Sequence, residues 1–293
     1  MAAIIMIQGT ASGVGKTILT TALCRIFTQD GYKTAPFKSQ NMTSVSHILP
    51  DGREMARSQA IAAYACNIEP TSDMNPILLK MSADGTDVII NGESVGIMDS
   101  TGCSGYKKHA LASALKAFKR LSELYDVIVI EGAGSPVELN LNNNDIANMG
   151  LAKAVGAPVL LASDISCGGV FASLYGTIEL LQKNEKQLIK GVVVNKFKGS
   201  KEHLGDAVSI LEEICSVPVL GIIPYTDIAL EDEDSLSSGF SESGSNCISN
   251  AGLRENNEQM QAEFERIAGH FRANLNMKGI YCVLNGKEIC GVV

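Results

Sequence analysis

Apolar positions along the chain follow two alternating rhythms. Short runs with no polar break occur at 3–7 (AIIMI), 127–130 (VIVI), 158–162 (PVLLA), 191–195 (GVVVN) and 218–223 (PVLGII). Their length and β-branched content are those of strands buried on both faces. Longer stretches with helical spacing start at Thr17 and lie near 55–66, 107–124, 146–155, 169–183 and 202–214. This alternation predicts an α/β fold, a doubly wound and mostly parallel sheet, over residues 1–236.

The rhythm stops at Glu231, where Ser, Gly, Asn and acidic residues dominate, so 237–258 is expected to be a linker or mobile loop. Beyond it, Met260, Phe264, Ile267, Ala268, Phe271 and Leu275 form one helical stripe. Asn285-Gly286, set between IYCVL and KEICGVV, reads as a hairpin turn. The segment 259–293 is thus expected to be a docked helix followed by a hairpin.

Charge and composition narrow the function. Lys and Arg number 24 against 32 Asp and Glu, a net −8 that excludes a general basic face for nucleic acid. Hydrophobic residues make up 45% and charged residues 19%, ample for a large core. No apolar run approaches the roughly 18 residues of a membrane span, and MAAIIMI lacks a basic leader, so a soluble, cytoplasmic protein is expected. The eight cysteines form no C-x-x-C pair, which points to reduced thiols and no structural zinc. His47, His109, His203 and His270 are too scattered to suggest catalysis.

Chemistry concentrates at GTASGVGKT, Gly9 to Thr17, between an apolar strand and a helix. That is the setting of a phosphate loop. Thr10, Gly13, Val14 and Gly15 would turn backbone N–H groups toward phosphate oxygens, Lys16 adds charge, and Thr17 offers a hydroxyl to Mg²⁺. The usual first glycine of the motif falls at position 10, where this chain has Thr10, with Gly9 one place earlier. Glu131, at the end of VIVIE, is either the acidic partner of the metal or a solvated strand-end glutamate. Asn195 and Pro224 close two further strands at the same sheet edge, either as a nucleobase site or as turn formers. Asp145 in DIANMG reads first as a helix cap, with a catalytic role as the alternative. Lys38, Asp73 and Asn75 lie in loops and carry little weight alone.

The strings GTASGVGKT, APFKSQNM, DMNPILLK, YDVIVIEGAGSPVELNL, DIANMG, GGVFASLYGT, VVVNKFKG and PVLGIIPY, in this order over roughly 1–236, resemble the ATP-dependent amide synthase domain of cobyric acid synthase. The resemblance implies a P-loop NTPase fold of dethiobiotin synthetase type. It also implies amidation of the b, d, e and g carboxylates of adenosylcobyrinic acid a,c-diamide through acyl phosphates, with ATP and Mg²⁺ as cofactors. By the same resemblance Lys38, Ser39, Gln40, Asn41, Asp73, Asn75 and Ser135 line the acyl-phosphate and corrinoid side, and Asp145 acts there on substrate or ammonia.

Two departures qualify that expectation. Ser166-Cys167 stands where the family has Asp-Arg ahead of Gly-Gly, which removes a cation from the phosphate edge. The family continues into a glutaminase with a cysteine elbow, whereas Cys247, Cys282 and Cys290 lack flanking elbow glycines. Ammonia is therefore expected from outside the chain, either free or from a separate glutaminase subunit, and two chains pairing as a homodimer is left open. The alternatives are a related dethiobiotin or a,c-diamide ligase and a nucleotide-binding remnant without turnover. A partitioning ATPase is disfavoured, because Ala11 stands where its extra lysine would be.

Overall fold

A computed structural model of the protein describes residues 2–83, 85–98, 104–138, 145–200, 204–230, 257–287 and 289. Six strands form the central sheet: β1 (Ala3–Gly9), β2 (Thr34–Phe37), β9 (Val127–Glu131), β10 (Val159–Asp164), β11 (Ile189–Phe197) and β12 (Val219–Pro224). Their order is β12-β11-β10-β1-β9-β2, and every pairing is parallel. The five apolar runs of the sequence are all strands here.

Alternation along the strands sorts the core into two layers. Ile5, Ile7, Val127, Val129, Leu160 and Ala162 point to one face. Met6, Ile128, Ile130, Val159 and Leu161 point to the other. With apolar side chains at both odd and even positions, neither face can be left to water. Helices α3 (Ser104–Leu124), α4 (Met149–Val155), α5 (Val170–Leu180) and α7 (Ala207–Cys215) cover the second face, and the short α6 (Lys183–Lys186) links α5 to β11. Helix α1 (Lys16–Gln29) covers the first face, and α2 (Arg57–Ala65) contributes to both layers.

The first face is completed from the far end of the chain. Helix α8 (Asn257–Asn274) lays Met260, Phe264, Ile267, Ala268 and Phe271 against α1, as the stripe predicted. Arg25 and Arg272 fix the seam through Glu265 (2.5 Å) and Asp30 (2.9 Å). The expected hairpin is a correction: residues 277–284 form helix α9 (Met277–Leu284), capped by the Asn276 side chain on Gly279 N–H, with Ile280, Val283 and Leu284 buried. Asn285-Gly286 ends this helix, Gly286 in the left-handed region at φ 64°. Of the expected linker 237–258, residues 257 and 258 already belong to α8; its remainder, with His203, Cys103, Cys247, Cys290 and the residues after 289, lies outside the described residues.

A second sheet, unforeseen in the sequence, stands beside the first. It runs β3-β6-β7-β8, from β3 (Gln40–Thr43), β6 (Ile77–Ser82), β7 (Gly85–Ile90) and β8 (Glu93–Met98). A hairpin of β4 (Ser46–Ile48) and β5 (Glu54–Ala56) adjoins it. Here Asn91-Gly92 does make the two-residue turn, both residues at positive φ. The described cysteines, Cys24, Cys66, Cys167, Cys215 and Cys282, are free thiols.

Phe264 is 1% exposed between α8 and α1. Truncation by Phe264→Ala should cost about 3–5 kcal/mol of unfolding free energy, read as a lower urea midpoint in one cooperative transition. An unchanged midpoint would mean that α8 is not part of the core.

Candidate functional site

The loop between β1 and α1 wraps over the C-terminal edge of the sheet. Gly13 (φ 72°) and Gly15 (φ 93°) are left-handed, a conformation that only glycine adopts cheaply. At Gly15 a Cβ would also lie 2.3 Å from Asn195 Nδ2. Gly9 is needed for a different reason: its Cβ would come within 2.5 Å of Val14 and 3.0 Å of the Lys16 stem. Thr10, in place of the usual glycine, stitches strands together. Its N–H donates to Ala162 O (2.9 Å) and its hydroxyl lies 2.8 Å from Ser163 Oγ. Lys16 is buried, its ammonium donating to Ala11 O at 3.0 Å.

Behind this loop sits Glu131, 1% exposed at the end of β9. The Thr17 hydroxyl (2.9 Å) and the Lys38 ammonium (2.7 Å) both donate to its Oε1, and the Gln59 amide donates to Oε2 (2.9 Å). A solvated strand-end glutamate is therefore ruled out. Gln59 was not singled out in the sequence, although a glutamine among the alanines of ARSQAIAAYA is itself a signal of a polar side chain at a core position. Among the described residues its Oε1 is buried without a hydrogen-bond partner, on the amide that binds Glu131. A carboxylate with a hydroxyl on one oxygen and an amide on the other suits a hard, oxygen-seeking cation such as Mg²⁺.

The loop is braced from outside by β11. Asn195 Nδ2 donates to Val14 O (2.8 Å) and Asn195 Oδ1 accepts from Lys196 N–H (2.9 Å), so this amide props the loop. Lys196, at a positive φ of 58°, donates to Gly13 O (2.5 Å) and pairs with Asp164 (3.0 Å). Ser166 donates to Asp164 Oδ1 through both N–H and hydroxyl, each at 2.7 Å. The Ser166 departure noted in the sequence thus anchors the far end of a chain running Ser166, Asp164, Lys196, Gly13. Burial pushes the Asp164 carboxyl up, but the hydrogen bonds from Ser166 and Lys196 outweigh it and hold the group below its ordinary range.

Residues expected on the substrate side are placed as follows. Asn75 is buried, accepting from Ala56 N–H and donating to Lys38 O and Ile77 O, so it fixes the backbone that carries Lys38. Ser39 donates to Ile146 O at 2.7 Å. Gln40 and Asn41 open β3, Asn41 buried and Gln40 half-buried. Asp73 lies away from this cluster in its bonding, gripped by the fork of Arg120 at 2.8 and 2.5 Å. Asp145 accepts from the N–H groups of Ala147, Asn148 and Gly150, which ties the turn ahead of α4; the N-cap position itself is Asn148, not Asp145 as the sequence suggested. Asn148 in turn binds Ala133 and Ser135 and so holds the loop after Glu131.

Next to Gly15 and Ile18 opens a cavity of about 210 Å³, lined further by Asn195, Ile223, Pro224 and Phe271. Its position beside the start of α1 and its mostly apolar walls suit a planar base. Asn195 and Pro224 are therefore brought together, as expected, although the Asn195 amide is largely committed to the loop.

A family model described as the CobQ/CobB/MinD/ParA nucleotide binding domain matches residues 5–236. The chain belongs to that family. Within it, the chain is 52% identical over 231 residues to the cobyric acid synthase of Clostridium acetobutylicum, covering 78% of this chain and 47% of the relative. It is 53% identical over 238 residues to that of Dehalococcoides mccartyi, covering 80% and 47%. The chain thus spans about half the length of the curated relatives it matches. Among solved structures, the septum site-determining protein MinD of Pyrococcus horikoshii, complexed with Mg-ADP, is 16% identical at a TM-score of 0.46, covering 92% of this chain and 95% of that one. Among the described residues, no helix is long and apolar enough to cross a membrane.

Two outcomes are expected at this site. Lys38→Met leaves a buried carboxylate without its cation and should cost about 3–5 kcal/mol; adding Glu131→Gln should recover most of that in urea titrations. Because the Asp164 carboxyl is depressed in the fold, its stabilisation is complete above about pH 4 and is lost as pH falls through the folded value. Asp164→Asn should therefore flatten the acid limb of the stability curve, measured as urea midpoint against pH.

Proposed function

We propose that this chain is the amide-forming, ATP-consuming half of a cobyric acid synthase. Its substrate would be adenosylcobyrinic acid a,c-diamide, amidated at the b, d, e and g carboxylates. The reading rests on one observation above all: Thr17, Lys38 and Gln59 converge on buried Glu131 directly behind a glycine-rich loop. Kinship with cobyric acid synthases supplies the substrate class.

The residues divide the work by charge. The loop and the start of α1 present N–H groups to the β- and γ-phosphates, and Lys16 adds a positive charge there. Thr17, Glu131 and the Gln59 amide oxygen are the groups that would hold Mg²⁺, which neutralises charge on the phosphate oxygens when bound. A substrate carboxylate oxygen attacks the γ-phosphorus and ADP leaves. Ammonia then attacks the acyl carbon, the C–O bond to phosphate breaks, and a proton is lost from nitrogen. Lys38 stands by to neutralise the acyl phosphate, with Ser39, Gln40, Asn41 and Ser135 lining that side. Each step is a displacement helped by positioning and fixed charge, and no enzyme nucleophile is required. Ammonia would arrive free or from a separate glutaminase.

Mass spectrometry of the diamide incubated with the chain, ATP and Mg²⁺ tests the reading. Each acid-to-amide conversion replaces OH by NH₂ and lowers the mass by about one unit, as displacement at an activated acyl group requires. Successive losses are expected with ammonium and none with glutamine, and Lys16→Ala should slow them by about 100-fold or more. No loss with either donor, in a protein that binds ATP, would leave a nucleotide-binding remnant instead.

A further inference from the structure

One wall of the base cavity lies within the 5–236 family match but is held by a helix outside it. Residues 225–229, on its rim, have no regular secondary structure. Among the described residues, apart from a link between Tyr225 and Asp227, the bonds that fix Thr226 to Ala229 come from α8. Arg266 donates to Thr226 Oγ1 (3.0 Å) and to Asp227 O (2.5 Å), while Glu263 accepts from Ala229 N–H (2.9 Å). Glu263 also holds the Arg266 fork, with contacts of 2.7 Å to each carboxylate oxygen. One turn further on, the His270 ring nitrogen lies 2.9 Å from Pro224 O, and Phe271 itself lines the cavity.

These four side chains follow the helical period along a single helix, so one face of α8 sets the shape of the cavity from outside the 5–236 match. Burial pushes the Glu263 carboxyl up, but its bonds to Arg266 and to Ala229 N–H outweigh that and keep it ionised at neutral pH.

We propose that α8 is part of the nucleotide site: Glu263, Arg266 and His270 are positioning residues that hold the 224–229 segment as a wall of the base cavity, and Phe271 completes it. The inference rests on the phosphate loop binding a nucleotide. Its consequence is a division of labour. The loop at 9–17 grips phosphate whatever base is attached, and α8 decides whether the base is gripped as well.

The test compares two probes on the whole chain by calorimetry, ADP and inorganic tripolyphosphate, each with Mg²⁺. Arg266→Met is expected to weaken ADP at least tenfold and to leave tripolyphosphate within twofold. Phe271→Leu, a milder change on the same face, should show the same split at smaller size and serves if Arg266→Met does not fold. An equal weakening of both probes, or of neither, would overturn the proposal, because α8 would then support the fold alone. If the unaltered chain binds tripolyphosphate but gains nothing from the nucleoside of ADP, the cavity is not a base site and the proposal fails while the phosphate loop stands. Binding of neither probe by the unaltered chain would sink the nucleotide reading and this inference with it.

Discussion

A carboxylate that is almost wholly removed from water organises this molecule. Desolvating Glu131 alone would cost several kcal/mol, and the chain offsets that with an ammonium, a hydroxyl and an amide drawn from three separate segments. Each donor then has its own supports. Asn75 fixes the backbone of Lys38, α1 carries Thr17, and α2 carries Gln59. Even Asn148, which holds the turn after Glu131, is set by the Asp145 carboxylate. Much of the polar interior can be traced outward from that one charge, and the sheet edge where it sits is where the phosphate loop must stand.

The parts of this design that were legible in the sequence are those encoded over a few adjacent residues. Strand runs such as VIVIE, the glycine-lysine-threonine loop and the α8 stripe announce themselves locally. The brace made of Asp164, Lys196 and Gly13 does not, because its members lie up to 183 residues apart and meet only once β10 and β11 pair. The second sheet was hidden for the same reason: short strands with half-polar faces resemble loops until a partner strand is present. The two Asn-Gly pairs show the limit of local signals. At 91–92 the β-branched run Val88, Ile89 and Ile90 precedes the pair and a hairpin forms, whereas Ile280, Val283 and Leu284 carry a helical spacing that outweighed the turn at 285–286.

The site also explains two apparent defects in its motifs. Thr10 does not weaken the phosphate loop, since the close approach that demands glycine occurs at Gly9, and Thr10 is free to bond the neighbouring strand. Cys167 stands where the resemblance puts a cation, and Ser166 beside it takes up a structural post, holding the acid that positions Lys196. In both cases the altered residue secures backbone, and the loop it supports keeps its shape.

The docking of α8 and α9 has a consequence for how the molecule is made. The contact between Arg25 and Glu265 spans 240 residues, so the outer side of α1 awaits helices synthesised long after it. Phe27, Leu23 and Ile26 on α1 are thus uncovered throughout most of translation. Contacts of such long separation form slowly and expose apolar surface while they wait. Until residues near 280 emerge that apolar surface stays open, and the docking that covers it also seats Phe271 in the wall of the cavity.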